Sequence, residues 1–262
     1  MAAATDSTYF IGQGKVRWAL RQTAGGILTG FTAFGDVSDL QIDHAQKFVD
    51  VEENITGYGG TALHASVAIP INMKMTVTQW AMANIQKAVY GSWSGAASGG
   101  TVTGEVVQLY QGERSYLKNL GVSALTLTVG ASPAVAGTDY NLDSKFGGID
   151  VLTSSTLVPS GSAGASGTAS YTWAANNGTV QALTASPQEV CLVFEGLNVA
   201  NPDGAGSFQA VKVTLNRVSL DISKMLDLLG RKESTFELGG MILIDPTVTT
   251  AGLSQYYSIE KA

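Results

Sequence analysis

The sequence predicts a mainly β protein: a β-sandwich or split β-barrel with one packed α-helix and a β-rich insertion. Three observations carry that prediction. Apolar and polar residues alternate over long segments, which is the period of a half-buried strand. Glycine fills 31 of 262 positions, about 12% against a usual ~7%, and punctuates those segments with turns. Only 14% of the residues are charged while 45% are hydrophobic, a balance that suits a large core better than long solvated helices.

The elements follow in order. Gly12-Gln13-Gly14 reads as a turn feeding a strand in which Lys15, Arg17, Ala19 and Arg21 alternate with Val16, Trp18 and Leu20, ending at Ala24-Gly25-Gly26. Asp36 to Glu53 reads as extended through Val37, Leu40, Ile42, Phe48, Val49 and Val51. After the loop Asn54-Ile55-Thr56-Gly57-Tyr58-Gly59-Gly60, a second long strand places Leu63, Ala65, Val67, Ile69, Ile71, Met73 and Met75 on one side. Pro70 within it requires an edge or a bulge.

A helix is predicted over about Thr78 to Tyr90 with Gly91 as its stop. Ala81, Met82, Ile85, Ala88 and Val89 form its sheet-facing stripe, while Asn84, Gln86 and Lys87 face elsewhere and Trp80 packs beneath a loop or on a neighbouring subunit. Beyond the spacer Ser92 to Gly104, short strands recur from Glu105 to Trp173, and Asn177-Gly178 suggests a hairpin turn. Strong strands return at Glu189 to Gly196, Phe208 to Ile222, Thr235 to Ile244 and Gln255 to Ile259, with a bulge near Asn216-Arg217 and a short helical turn over Ser223 to Gly230. Residues 1–110 and 189–262 then make the main β domain, and 111–188 an inserted segment rich in Gly and Ser.

Several functions are disfavoured. A net charge of −6 argues against tight nucleic-acid binding. The N-terminus has no basic segment followed by an apolar run, so synthesis in the cytoplasm is expected, and the uncharged stretches 119–138 and 151–188 are broken by Gly, Pro and Ser, so no membrane span is expected. Cys191, the single cysteine, sits in Val190-Cys191-Leu192-Val193-Phe194 as a core filler.

His44 and His64, the two histidines, lie on separate strands without metal-ligand spacing. Gly12-Gln13-Gly14 lacks the preceding strand and following helix of a dinucleotide site. No nucleophile elbow or phosphate loop appears, so no enzyme, metal or cofactor is expected. Asp36, Asp39, Asp43, Asp50, Glu52 and Glu53 form an acidic run, read as a solvated strand face or as a surface repelling polyanions.

Tyr9 to Trp18, the strand Gly35 to Ile42, the run Lys47 to Asn54 into a glycine loop, and the strand-then-helix Ile69 to Gly91 resemble bacteriophage tail-tube (major tail) proteins. Gly137 to Asp143 before Gly147-Gly148-Ile149, and the closing pattern Phe208 to Ile222, Lys224 to Leu229 and Phe236 to Asp245, resemble that family as well. The resemblance implies a tail-tube-like fold and a virion protein, made in the host bacterial cytoplasm, that assembles into hexameric rings stacked as a tube for genome DNA. Its partners would be further copies of itself, a tail terminator, an initiator or baseplate, and a tape-measure protein. DNA would pass through without specific binding.

Within that reading the loop Asn54, Ile55, Thr56, Gly57, Tyr58, Gly59 and Gly60 reaches the adjacent ring, the acidic run faces the lumen, and Tyr9, Phe10, Tyr256, Tyr257 and Ile259 tie neighbours together through terminal arms. The insertion would lie outside the tube, with Tyr171 and Trp173 as candidates for carbohydrate contact. The alternative is a monomeric β-sandwich binding module, adhesin-like or carbohydrate-binding, using Trp18, Trp93, Trp173 and the tyrosines as a stacking platform.

Overall fold

The structure, a computed structural model, describes residues 10–21, 30–53, 55, 60–161, 163–202, 208–224, 226, 228–229 and 233–262. The chain runs through β1 (Gly12–Leu20), β2 (Thr32–Ala33), β3 (Val37–His44), β4 (Lys47–Glu52), β5 (Thr61–Ala68), β6 (Ile71–Val77), α1 (Met82–Ala88) and β7 (Ser92–Trp93). It continues with β8 (Gly100–Leu109), β9 (Arg114–Tyr116), β10 (Val122–Val129), β11 (Ser132–Pro133), β12 (Tyr140–Asp143), β13 (Gly148–Val151) and β14 (Ala165–Trp173). It ends with β15 (Val180–Gln181), β16 (Glu189–Pro202), β17 (Phe208–Leu220), β18 (Phe236–Ile242) and β19 (Tyr257–Lys261). The protein is mainly β with one helix, and the described strands do not close into a barrel.

Two compact units divide the chain: residues 1–93 with 180–262, and residues 94–179. The boundaries expected at 110 and 188 differ from these. The reason is that β8 pairs with β14 along its length, from Gly100↔Trp173 to Leu109↔Ala165, and so belongs with the insertion. At the other junction β15 pairs with β7, Val180 opposite Trp93, inside the first unit. Asn177-Gly178 therefore joins strands of different sheets and does not turn a hairpin.

In the first unit one sheet runs β2-β1-β16-β17-β18-β6-β3, with β19 paired to β17. The bulge expected near Asn216-Arg217 is present: the β16/β17 register shifts between Val190↔Val218 and Leu192↔Leu215. It marks a fork. Val211 to Leu215 pair with β19, whereas Val218 to Leu220 pair with β18. Arg217 passes its carbonyl to Leu243 N at 2.8 Å, and Asn216 N donates to Tyr256 O at 3.0 Å. Inward residues of these strands, among them Met75, Val77, Val190, Leu215, Phe236 and Leu238, make the core. Cys191, between Val190 and Leu192 on the opposite face of β16, is buried and free, as expected of a filler.

The helix is shorter than predicted and rotated. It spans Met82–Ala88, and Asn84, Lys87 and Ala88 are its buried residues. Polar side chains turn inward because each finds a partner. Asn84 Nδ2 donates to Phe34 O at 2.7 Å, and Lys87 Nζ donates to Gln188 Oε1 at 3.0 Å while lying 3.6 Å from the Trp18 ring centroid. Trp80 packs edge-on against Phe236 in the same chain and donates Nε1 to Ser234 O at 2.8 Å.

Burial lowers the Lys87 amine from 10.5 to about 8. Below pH 8 the lysine is charged in both folded and unfolded chains, and its desolvation opposes folding in full. Between about 8 and 10.5 the folded chain has shed the proton and the unfolded chain has not, so stability rises with pH. We expect denaturant titrations to show a gain of roughly 1–3 kcal/mol across that window. Lys87→Met should abolish the gain, and a wild-type curve flat from pH 8 to 10.5 would contradict the assignment.

The second unit is a two-sheet structure with its own core. One sheet runs β11-β10-β14-β8, the other β12-β13-β9. Between them lie Leu109, Leu117, Leu127, Ile149, Val151 and Tyr171. Ser94 N donates to Thr179 O at 3.0 Å, so the unit's ends meet. Trp93 and Val180, the residues flanking it, are direct cross-strand partners. Replacing residues 94–179 by Asn-Gly should turn β7 and β15 into a two-residue hairpin and leave the first unit folded. Retained near-UV circular dichroism and a cooperative melt check this outcome, and loss of both would refute it.

Candidate functional site

Pro70 interrupts the strand predicted over Leu63 to Met75, and the two halves have opposite environments. Ile71, Met73, Met75 and Val77 are buried in β6. Upstream, β5 pairs among the described residues with β4 alone, and every residue of that hairpin's strands is exposed except Ala65, which is half-buried. Pro70 has no N–H to continue the ladder. Its carbonyl accepts from Ala45 N at 2.9 Å, and the ribbon of β3 with β6 continues past this point as β4 with β5.

Register places Val49 opposite Ala65 and Val51 opposite Leu63. Together with Val67 these residues form one aliphatic face, although Val49 is 50%, Leu63 55% and Val67 60% exposed. On the other face Phe48 stacks on His64 at 4.1 Å between ring centroids, and His64 Nδ1 meets Asp50 Oδ1. Ile55 in the connecting loop is 92% exposed. Asn54, Thr56, Gly57, Tyr58 and Gly59 of the expected inter-ring loop lie outside the described residues, and Gly60 accepts from Glu53 N at 2.7 Å.

A two-stranded ribbon is marginal in water by itself. Here its aliphatic face meets no core among the described residues. Alternation in the sequence is equally strong on both sides of Pro70, so periodicity alone does not distinguish a core strand from an exposed arm.

The acidic run does not form one face. Asp39 and Asp43 project from β3 on the side opposite Leu40 and Ile42, which pack on the core. Asp50 and Glu52 lie on the mixed face of β4, across from His64 and Thr61, while Glu53 follows the strand and Asp36 precedes β3. The break at Ala45-Gln46 divides the run between core sheet and hairpin.

The terminal residues differ from expectation too. Tyr256 and Tyr257 are not a free arm: both pack on their own core, and Tyr257 Oη lies 3.0 Å from His44 Nε2. Ile259, two residues further along β19, is 63% exposed. Phe10 is 56% exposed, and Ile11 N donates to Asn198 Oδ1 at 3.0 Å. Tyr9 lies outside the described residues. Gly12-Gln13-Gly14, expected as a turn, is inside β1 and pairs with Asn198 to Gly196.

The sheet leaves edges open. Among the described residues β3 pairs with β6 alone, and β2 covers just Arg17 and Trp18 of β1. A groove of about 630 Å³ separates β3 from β1, β16 and β17, lined by Val16, Leu40, Ile42, Phe194 and Val213 among others. No group of His, Cys, Asp and Glu that could hold a metal occurs among the described residues, and no described helix is long and apolar enough to cross a membrane. The hairpin and open strands present apolar surface and unpaired backbone, the chemistry of docking.

A family model described as "Protein of unknown function UCP028589" matches residues 9–260. The chain belongs to that family. No curated protein matches it. The match spans both compact units.

Proposed function

We propose that this chain is a structural subunit of a bacteriophage tail tube, assembling with further copies into hexameric rings that stack around a channel for genome DNA. The observation that carries the reading is the β4–β5 hairpin, whose aliphatic residues Val49, Val51, Leu63 and Val67 are exposed on a ribbon with which no third described strand pairs. Such a ribbon gains stability when a neighbouring copy covers it, and repetition of that contact around a ring and along an axis gives a closed ring and an open stack.

The unpaired edge of β3 supports the same reading, since pairing with a neighbour removes an edge that would otherwise template aggregation. The resemblance supplies the hexamer, the virion location and the terminator, baseplate and tape-measure partners. Negative-stain electron microscopy of the purified chain at high concentration, with light scattering on the same sample, tests the proposal. Rings or hollow tubes are expected, and a strict monomer across salt, concentration and added tail initiator would refute it.

A further inference from the structure

We propose that the groove between β3 and the β1, β16 and β17 strands receives the β4–β5 ribbon of a second copy of this chain. The inference rests on the assembly reading above and adds to it the surface on which the ribbon is seated. Register defines the floor of the groove. Val16, Phe194 and Val213 are direct cross-strand partners in one row, which Ile259 prolongs with 63% exposure. Leu40 and Ile42 of β3 line the opposite bank. On the Val16 side of β1, Gly12 and Gly14 add no side chain, and a Cβ at Gly14 would fall 2.1 Å from Glu195 O, so a larger residue there cannot fill the space.

Both banks are open strand edges. Among the described residues β3 has no ladder partner on the side away from β6, and Gly12 to Lys15 have none on the side away from β16. The ribbon has the matching features. It carries one aliphatic face, formed by Val49, Val51, Leu63 and Val67, and two outer edges that no described strand pairs. β4 is six residues long, and the bank from Val37 to Ile42 has the same number, about 20 Å of extended chain. A ribbon laid there covers the floor with its apolar face and offers its own backbone N–H and C=O groups to the banks.

The combination of floor and banks selects the occupant. An acyl chain or another small apolar ligand would cover the floor and leave both banks unpaired. A charged partner finds one charged residue in the described lining, Asp39 at the rim. Nor does the sequence's carbohydrate reading compete, because Tyr171 is buried and Trp173 packs against the core of the 94–179 unit. The ribbon's aliphatic residues are 48–60% exposed in the chain that carries them. β4 follows β3 after Ala45-Gln46, with Ala45 N held by Pro70 O at 2.9 Å, so the ribbon prolongs β3 and is not seated in the groove that β3 borders. Ribbon and groove are different surfaces of one chain, and the contact is therefore heterologous. Each docked copy still presents a free groove or a free ribbon, and the series extends without closing on itself.

The test is sedimentation velocity of full-length chains up to about 1 mM. Ser38→Trp obstructs the groove from an exposed position of its lining, and Leu63→Asp disables the ribbon. Wild type should self-associate, and each variant alone should do so at least about tenfold more weakly with an unchanged melting midpoint. An equimolar mixture of the two variants should form a pair containing one chain of each and nothing larger. In that pair the intact ribbon of the Ser38→Trp chain enters the intact groove of the Leu63→Asp chain, and neither free end can extend. Ile42→Lys repeats the block should Ser38→Trp lower the melting midpoint. Self-association of the groove variants as strong as that of wild type, or a mixture that stays monomeric, overturns the proposal. Pairing that requires removal of residues 1–9 would assign the groove to the chain's own N-terminus and overturn it as well. Microscopy scores the tube reading separately. Rings from Ser38→Trp chains would sink this inference and keep the tube, whereas capped pairs beside wild-type filaments without a channel would keep this inference and sink the tube.

Discussion

Asp245→Ala is expected to destabilise the first unit by about 3–5 kcal/mol, the usual cost of leaving one member of a buried ion pair alone. The Arg21 and Asp245 side chains are 4% and 5% exposed, and Arg21 donates Nη1 to Asp245 Oδ2 and Nη2 to Oδ1. Arg21 also donates to Asn216 O at 2.9 Å, and Asp245 accepts from the Thr247 amide at 2.9 Å and hydroxyl at 2.6 Å. This set sits at the β17 bulge, beside the paired Arg217 and Glu189, 2.7 Å apart. It fastens the point where one strand passes from β19 to β18. Removing the carboxylate takes the bidentate partner from a buried guanidinium and frees the fork.

Calorimetry of the full chain should show the first unit's transition falling by about 10 °C, with that of residues 94–179 unmoved. Arg21→Met combined with Asp245→Leu should recover most of the loss, because no charge is then stranded. A single variant losing less than about 1 kcal/mol would show that the pair does not fasten the fork.

The same cluster predicts acid sensitivity. Burial would raise the Asp245 carboxyl, but hydrogen bonds from Arg21 and Thr247 outweigh it and hold the group below its ordinary 3.8. Arg217 holds Glu189 below 4.5. Both groups have folded values beneath their unfolded ones, so their stabilisation is complete above about pH 4.5 and is lost as pH falls through the depressed values. Stability measured downward from pH 6 should therefore hold to about 4.5 and then decline, less steeply for Asp245→Ala.

Sequence periodicity and tertiary environment carried different parts of the structure. The strands, the bulge at Asn216-Arg217 and the buried Cys191 were legible because alternation, a phase change and an apolar surround are local signals. The domain boundary was not: Gly100 to Leu109 reads as a strand in either unit, and only its long-range pairing with β14 assigns it. Amphipathicity misplaced Asn84 and Lys87 for a related reason. An inward polar residue is specified by a distant acceptor, here Phe34 O and Gln188 Oε1, which helical periodicity does not encode. Among the proposed sites, the aliphatic residues of the hairpin were visible as a pattern, yet their exposure was not.

Val51→Asp and Leu63→Asp, made singly, are expected to abolish assembly while leaving the subunit folded. The two residues are direct partners on the aliphatic face of the hairpin, 48% and 55% exposed. A charge there meets water in the isolated chain, so subunit stability should change by no more than about 0.5 kcal/mol. In an assembly the same charge must be desolvated against a neighbour's apolar surface at every repeat, a cost of several kcal/mol per interface. Because each subunit would contribute one such hairpin to a ring, the penalty recurs with every added copy and the polymer is the species that disappears. Electron microscopy should show rings or tubes for wild type and none for either variant, with matching melting curves. Asp50→Asn, on the opposite face beside His64, serves as the contrast: if it disrupts assembly as severely, the mixed face and not the aliphatic one is the docking surface.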